Sequence, residues 1–218
     1  NMGANIKGAG TDTIRVMGVD RLHGCTYAII PDQIETGTLM IAAAATRGDV
    51  LIKNVIPMHM EALSAKLMEM GIAVEEGEDT IRVKCERRPG RATLMTQPYP
   101  GFPTDLQQPM SALLCVANGT SMIVENIFED RFKHLNQMQR MGCKSSVSGR
   151  VAVIEGVEQL SGAPVSATDL RAGAALVIAG MAAEGETQVN NLRYIDRGYD
   201  HLEDKLRSLG ADIQRVQL

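Results

Sequence analysis

Two short segments of this chain place acid and base side chains where they could handle an anion. In Thr168-Asp169-Leu170-Arg171 a carboxylate and a guanidinium stand two residues apart at the start of an apolar, alanine-rich run. An arginine just inside a helix N-terminus opposes the dipole by roughly a few tenths of a kcal/mol, and an arriving anion reverses that cost. Arg197, in Ile195-Asp196-Arg197-Gly198-Tyr199, lies on the loop before the last predicted helix and could converge with Arg171. The second segment is Gln97-Pro98-Tyr99-Pro100-Gly101-Phe102-Pro103-Thr104-Asp105, where three prolines and a glycine lock a loop that delivers Asp105 to a helix start. Loops fixed in this way often position reactive groups. The chemistry on offer is a carboxylate that takes or aligns a hydroxyl proton, with arginines that grip a small anion by charge-assisted bonds.

A plainer role competes with this one. Pro31-Asp32, Thr104-Asp105 and Thr168-Asp169 all precede apolar helices, and an aspartate there caps the exposed N–H groups for about 1 kcal/mol. Capping accounts for Asp32, whereas the irregular, functionally rich surroundings of Asp105 and Asp169 keep the catalytic reading open. Other residues offer less. His23, His59, His134 and His201 show neither HExxH nor HxH spacing, so surface or capping roles are expected in place of metal ligation. Lys7-Gly8-Ala9-Gly10-Thr11 leads into a strand where a phosphate loop needs a helix, and is read as a turn. The four cysteines have no CxxC spacing, which disfavours a zinc site or disulfide framework, and Cys115 in Ala112–Ala117 is read as inert packing.

The elements that must position these groups recur. Asp32 to Gly48 then Gly71, Asp105 to Gly119 then Gly142, and Asp169 to Gly185 then Gly210 share one order: apolar helix, glycine, strand, second helix, glycine. The period is roughly 70 residues. The chain is therefore predicted to be a single domain of three units, about residues 11–88, 91–156 and 161–218. Strands are expected at 13–19, 25–30, 50–55, 92–97, 121–127, 144–148, 151–155, 163–167, 187–192 and 212–216, with a hairpin over 73–85. Helices are expected from 32 to about 46 and over 58–70, 104–117, 135–141, 169–183 and 201–209. Runs such as Thr38–Ala45 and Ala174–Ala183 carry almost no polar stripe, so they must be buried on all sides. Their partner helices are amphipathic. A helical centre wrapped by outer sheets follows. The 13 methionines are core filler in a chain with no tryptophan.

A net charge of −4 argues against nucleic acid and anionic membranes as partners. No apolar run approaches the roughly 20 residues of a membrane span, and a reducing cytoplasm suits the cysteines. Met2-Gly3-Ala4-Asn5-Ile6 parallels Leu209-Gly210-Ala211-Asp212-Ile213, so a longer natural protein is expected.

Taken together, Pro31–Thr38, Phe102–Gln107, Glu125–Arg131, Ser161–Ala172 and Ile195–Tyr199 resemble the enolpyruvyl transferase family, in family order across essentially the whole chain. The resemblance implies an α/β fold, an inside-out α/β barrel (α-β prism) of three βαβαββ repeats. It implies transfer of the enolpyruvyl group of phosphoenolpyruvate to the 3'-hydroxyl of UDP-N-acetylglucosamine, releasing phosphate, without a cofactor or metal. In that reading Asp105 is general base or aligns the hydroxyl. Asp105, Ile127 (by its main chain) and Phe128 contact the UDP-sugar, Arg171 and Arg197 grip phosphoenolpyruvate, and Asp169 organises the cationic side. The sister enzyme that makes 5-enolpyruvylshikimate 3-phosphate ranks second, and a non-catalytic module of the same fold is a third alternative. Gln33 departs from the arginine of many relatives. The family's Lys-Asn pair, lid cysteine and lid arginine belong to an N-terminal half not found here, so residues 1–218 alone are expected to be inactive.

Overall fold

The computed structural model describes residues 1–216. It divides into two compact units, residues 1–31 and the remainder from Asp32. In the first, β1 (Asn5–Lys7) pairs antiparallel with β2 (Arg15–Met17). The strand expected at 25–30 does not form. Tyr27 and Ile29 are exposed there and no neighbour among the described residues supplies a ladder, so β propensity alone leaves the segment irregular.

The second unit begins with α1 (Gln33–Ala45), β3 (Asp49–Lys53), a 3-10 turn at Pro57–Met60, α2 (Glu61–Glu69), β4 (Ala73–Glu76) and β5 (Thr80–Lys84). Next come β6 (Thr93–Met95), a 3-10 turn at Thr104–Leu106, α3 (Gln107–Val116), β7 (Thr120–Val124), α4 (Lys133–Gln139), β8 (Lys144–Ser148) and β9 (Val151–Glu155). The chain then runs through β10 (Leu160–Ser161), β11 (Pro164–Ser166), α5 (Leu170–Met181), β12 (Ala183–Glu184), β13 (Gln188–Asn190), a 3-10 stretch at Leu192–Arg197 and α6 (Leu202–Ser208). No strand forms over 212–216, where the backbone finds no ladder among the described residues and the Ile213 carbonyl instead accepts from Arg207 Nε at 3.0 Å. Residues 217 and 218, the end of the third expected unit, lie outside the described residues.

Helices α1, α3 and α5 form the centre and pack on one another. Every residue of α3 is buried, as are Met40–Ala45 of α1 and Ala172–Leu176 of α5. Small side chains bring neighbouring groups close. A Cβ added at Gly37 of α1 would fall 2.5 Å from a Leu106 methyl, and one at Gly173 of α5 would fall 2.4 Å from Ile195. The partner helices bury one face only: Leu63 and Leu67 of α2, Leu135 and Met138 of α4, Leu202 and Leu206 of α6.

The sheets cover this centre. Strands run β3-β5-β4 in an antiparallel sheet and β6-β7-β9-β8 in a mixed one, while β10 with β12 and β11 with β13 form parallel pairs. In β5 and β9 alternate residues, Ile81 and Val83, Ala152 and Ile154, point to the core and the rest to solvent. The described strands close no barrel. What holds is a mixed α/β fold whose helix starts at 105 and 169 stand beside each other.

Candidate functional site

The helix start at Asp169 is a side-chain cap. With extended backbone (φ −158°, ψ 179°), its Oδ1 accepts from the N–H groups of Arg171 and Ala172 at 3.0 and 2.9 Å. Its Oδ2 accepts from Gln108 Nε2 and the Thr168 hydroxyl, both at 3.3 Å. The cap therefore also ties α5 to α3. From this start Arg171 reaches sideways: its Nε and Nη2 donate to Asp105 Oδ2 at 3.3 and 3.2 Å. Its guanidinium lies 5.4 Å from the ring centre of Tyr199, whose hydroxyl is 2.9 Å from that of Thr38. Burial works against the Arg171 charge, but Tyr199 and Asp105 outweigh it and the group stays fully protonated. Its Nη1 is buried without a protein partner among the described residues. A buried open donor costs about 1–3 kcal/mol, and a ligand oxygen would remove that cost.

Asp105 sits differently. It lies inside the 3-10 turn that precedes α3, the preceding cap position is Pro103, and no side chain caps this start. Its Oδ1 accepts from Arg131 Nη2 at 2.6 Å while its Oδ2 takes Arg171. The carboxylate is 37% exposed against 17% for Arg131 and 13% for Arg171, so the acid faces out and the two cations back it. The proline-rich loop delivers it in this pose through Gln97 N–H to the Phe102 carbonyl at 3.0 Å and Gly101 N–H to the Pro98 carbonyl at 2.8 Å.

Ile127 and Phe128 stand on the turn after β7, and both N–H groups donate to Glu125 Oε1, at 2.9 and 3.1 Å. Phe128 also carries the Arg131 guanidinium 4.8 Å from its ring centre. Arg197 is not brought in. It is exposed, makes no side-chain hydrogen bond among the described residues, and lines an open depression of about 500 Å³ together with Tyr199, His201 and Arg215. Of the groups expected from sequence, Asp105, Asp169, Arg171, Ile127 and Phe128 thus share one neighbourhood, while Arg197 stands apart in a depression that Tyr199 also lines. Arg131, Glu125 and Tyr199 belong to this neighbourhood as well, although in sequence they are only parts of longer motifs. Nothing local in their spacing shows that they meet residues more than 20 positions away.

Two expectations change. His134, assigned to the surface or a cap, is fully buried with Nε2 3.0 Å from the Ser111 hydroxyl, and burial lowers its pKa to about 3. Asp105 opens its helix without capping it. Cys115 does pack in the core, its thiol 2.7 Å from that of Cys143. Its contact with Cys143 and its burial raise its pKa well above the ordinary thiol value, which leaves it unreactive. His201, Glu203 and Asp204 bring possible metal ligands within 4.8 Å of one another, but Arg215 and Arg207 already pair with the two acids. No helix among the described residues is long and apolar enough to cross a membrane.

Such a group, one outward carboxylate backed by two partly buried guanidiniums, can hold an anion and orient a hydroxyl beside it. The sequence profile described as EPSP synthase (3-phosphoshikimate 1-carboxyvinyltransferase) matches residues 1–206. The chain belongs to that family. Asp105, Arg131, Arg171 and Arg197 all fall within the span matched to the EPSP synthase family. Among curated relatives, UDP-N-acetylglucosamine 1-carboxyvinyltransferase 3 of Caldanaerobacter subterraneus subsp. tengcongensis is 61% identical over 216 residues, which are 99% of this chain and 52% of the relative. The UDP-N-acetylglucosamine 1-carboxyvinyltransferase of Desulfofundulus thermocisternus is 60% identical over 216 residues, 99% of this chain and 89% of its own length. The crystal structure of the enolpyruvyl transferase NikO from Streptomyces tendae aligns with a TM-score of 0.85 at 27% identity, over 98% of this chain and 51% of that one. EPSP synthase from Acinetobacter baumannii aligns at 0.73 and 18% identity over 99% of this chain and 53% of its own, which speaks to fold alone. The chain spans about half the length of the Caldanaerobacter relative and of NikO.

Proposed function

We propose that the full-length protein transfers the enolpyruvyl group of phosphoenolpyruvate to the 3'-hydroxyl of UDP-N-acetylglucosamine and releases phosphate, as the first committed step of peptidoglycan synthesis in the cytoplasm. The observation that carries the reading is Asp105 held between Arg131 and Arg171 with its outer face open. Relatives named for this activity, at 60 and 61% identity over nearly all of the chain, agree with it. The fold reading that accompanies it is an α-β prism of three βαβαββ units in a single domain.

In this reaction the sugar oxygen bonds to C2 of phosphoenolpyruvate as the C2–C3 double bond takes a proton at C3, which gives a tetrahedral ketal. C3 then gives up a proton as the C2–O bond to phosphate breaks, and the double bond returns. Asp105 takes or aligns the hydroxyl proton. Arg131 and Arg171 already bond one oxygen each and hold the carboxylate in a fixed pose, so alignment is its main contribution. Arg171 holds phosphoenolpyruvate, and Arg197 moves in from its own depression to complete the grip, having no side-chain hydrogen bond to give up among the described residues. Ile127, by its main chain, and Phe128 border the UDP-sugar, and Asp169 fixes the Arg171 backbone from which that side chain extends.

Phosphate release by the full-length protein, measured with both substrates together and each alone, tests the reading. Release that requires both, and that Arg171→Ala abolishes, supports it. Release with shikimate 3-phosphate in place of the UDP-sugar would favour the activity for which the family profile is named. No release with either acceptor would favour a binding module.

A further inference from the structure

We propose that Glu125 is a positioning residue for this reaction, a carboxylate sealed away from substrate that holds Asp105 and the Ile127–Phe128 backbone in one register; this rests on the carboxyvinyl transfer proposed above. Glu125 is 0% exposed, and no cation pairs with it among the described residues. Four hydrogen bonds take the place of one. Its Oε1 accepts from the Thr96 hydroxyl at 2.8 Å and from the N–H groups of Ile127 and Phe128, and its Oε2 accepts from the Thr104 hydroxyl at 2.9 Å. Thr96 and Thr104 flank the proline-rich loop, so one side chain pins both ends of the segment that presents Asp105.

Donor and acceptor roles fix the direction of the next links. A guanidinium can only donate and a carboxylate here only accepts, so the Thr104 hydroxyl gives its single proton to Glu125 and receives Arg131 Nη1 at 2.7 Å. Arg131 Nη2 then donates to Asp105 Oδ1 at 2.6 Å. The series Glu125, Thr104, Arg131, Asp105 is therefore polarised from end to end, and its far end is the open carboxylate. An amide at position 125 would break it at one point. The two backbone N–H groups cannot reverse, so the amide oxygen must stay with them, and the NH2 must face Thr104. Thr104 would then meet two donors and have no acceptor for its own proton.

The test uses the full-length enzyme with both substrates. Glu125→Gln and Thr104→Val should each lower kcat by about 10- to 100-fold, as expected for sub-ångström misplacement of an aligned group. KM for the UDP-sugar should move by less than about threefold, because the amide oxygen still holds Ile127 and Phe128. The double variant should fall no more than about threefold below the weaker single one, since both cut the same series. Thr104→Ser, which keeps the hydroxyl, should recover at least about tenfold of what Thr104→Val loses. Melting temperatures should stay within about 3 °C of wild type. A Glu125→Gln kcat within threefold of wild type, multiplicative losses in the double variant, or a loss that tracks melting temperature overturns the proposal. Should Glu125→Gln not fold, Thr104→Val against Thr104→Ser decides alone. An inactive wild type overturns the transfer reading and this one with it, whereas an active wild type with an unaffected Glu125→Gln overturns this one only.

Discussion

Three aspartates of this chain open buried helices, and the molecule uses them in two ways. Asp32 accepts from the N–H groups of Ile34 and Glu35 at 2.7 and 3.4 Å, and Asp169 accepts from Arg171 and Ala172, so both act as caps. Asp105 caps nothing, because a 3-10 turn carries it past the cap position and its oxygens go to Arg131 and Arg171. A shared local pattern thus conceals a division of labour. Where the preceding segment is extended, the carboxylate folds back onto its own helix; where a proline-locked loop winds in early, it is turned outward to other elements. Asp169 stands between the two cases, capping with one oxygen and meeting Gln108 of α3 with the other.

The sharpest way to break this comparison is to make the same substitution at both kinds of start. Asparagine caps as well as aspartate but brings no charge and no proton acceptor of comparable strength. In the full-length enzyme Asp105→Asn should lower kcat by about 10²- to 10⁴-fold, the usual contribution of an acid-base or aligning group. Asp32→Asn should leave kcat within about twofold. Steady-state phosphate release checks both, and an equal loss at the two positions would show that capping is all that either does.

Arg171 allows a finer cut. Lysine keeps the charge but cannot span Nε and Nη2 to one carboxylate or lie flat near Tyr199. Arg171→Lys should reduce kcat/KM for phosphoenolpyruvate by about 10- to 100-fold, or roughly 1.4–2.7 kcal/mol. An unchanged kcat/KM would mean that the fork geometry seen at 3.3 and 3.2 Å is dispensable.

How far the sequence reaches can be judged on these residues. The central helices were legible because Thr38–Ala45 and Ala174–Ala183 have no polar face, and such helices have nowhere to lie but inside. The loop before Asp105 was legible from its prolines, and the cap at Asp169 from its place before an apolar run. Arg131 was hidden because its value lies in a contact with Asp105 across 26 positions, and the Thr38–Tyr199 bond spans 161. Strand propensity over 25–30 and 212–216 misled for a related reason: a strand exists through its neighbour, and neither segment has one within the described residues. His134 misled because a lone histidine carries no periodic signal, yet α4 turns it inward onto Ser111 of α3.

That histidine sharpens the comparison by stability. The α3 region buries Gln107, Gln108, Ser111 and His134, whereas α5 buries only Ala and Gly over Ala172–Ala175 before Leu176. Burial lowers the His134 pKa from 6.5 to about 3, so the folded state keeps the ring neutral where the unfolded chain protonates it. Between those values the unfolded state binds the extra proton. Stability is therefore fully present above about pH 6.5 and falls by up to about 1.4 kcal/mol for each unit of acidification below it. By pH 5 the loss attributable to this residue should be about 2 kcal/mol. Urea unfolding across pH 5–7.5 reads the slope, and His134→Gln should flatten it by close to one proton. A variant slope equal to wild type would place the acid sensitivity elsewhere.

The smallest effect is expected at the start that does nothing but cap. Asp32→Ala removes the acceptor for two N–H groups at the first turn of α1, which then must be met by water. The helix beyond that turn is held by burial of Met40 through Ala45, so the loss stays local and should come to about 1 kcal/mol. Asp32→Asn should recover most of it, because the amide oxygen accepts the same bonds. Both variants should keep kcat, since no atom of Asp32 is hydrogen-bonded to Asp105, Arg131 or Arg171. Denaturant midpoints and phosphate release measured on the same preparations separate the two quantities. A stability loss with intact turnover at 32, set beside intact stability with lost turnover at 105, is the pattern that two uses of one residue type require.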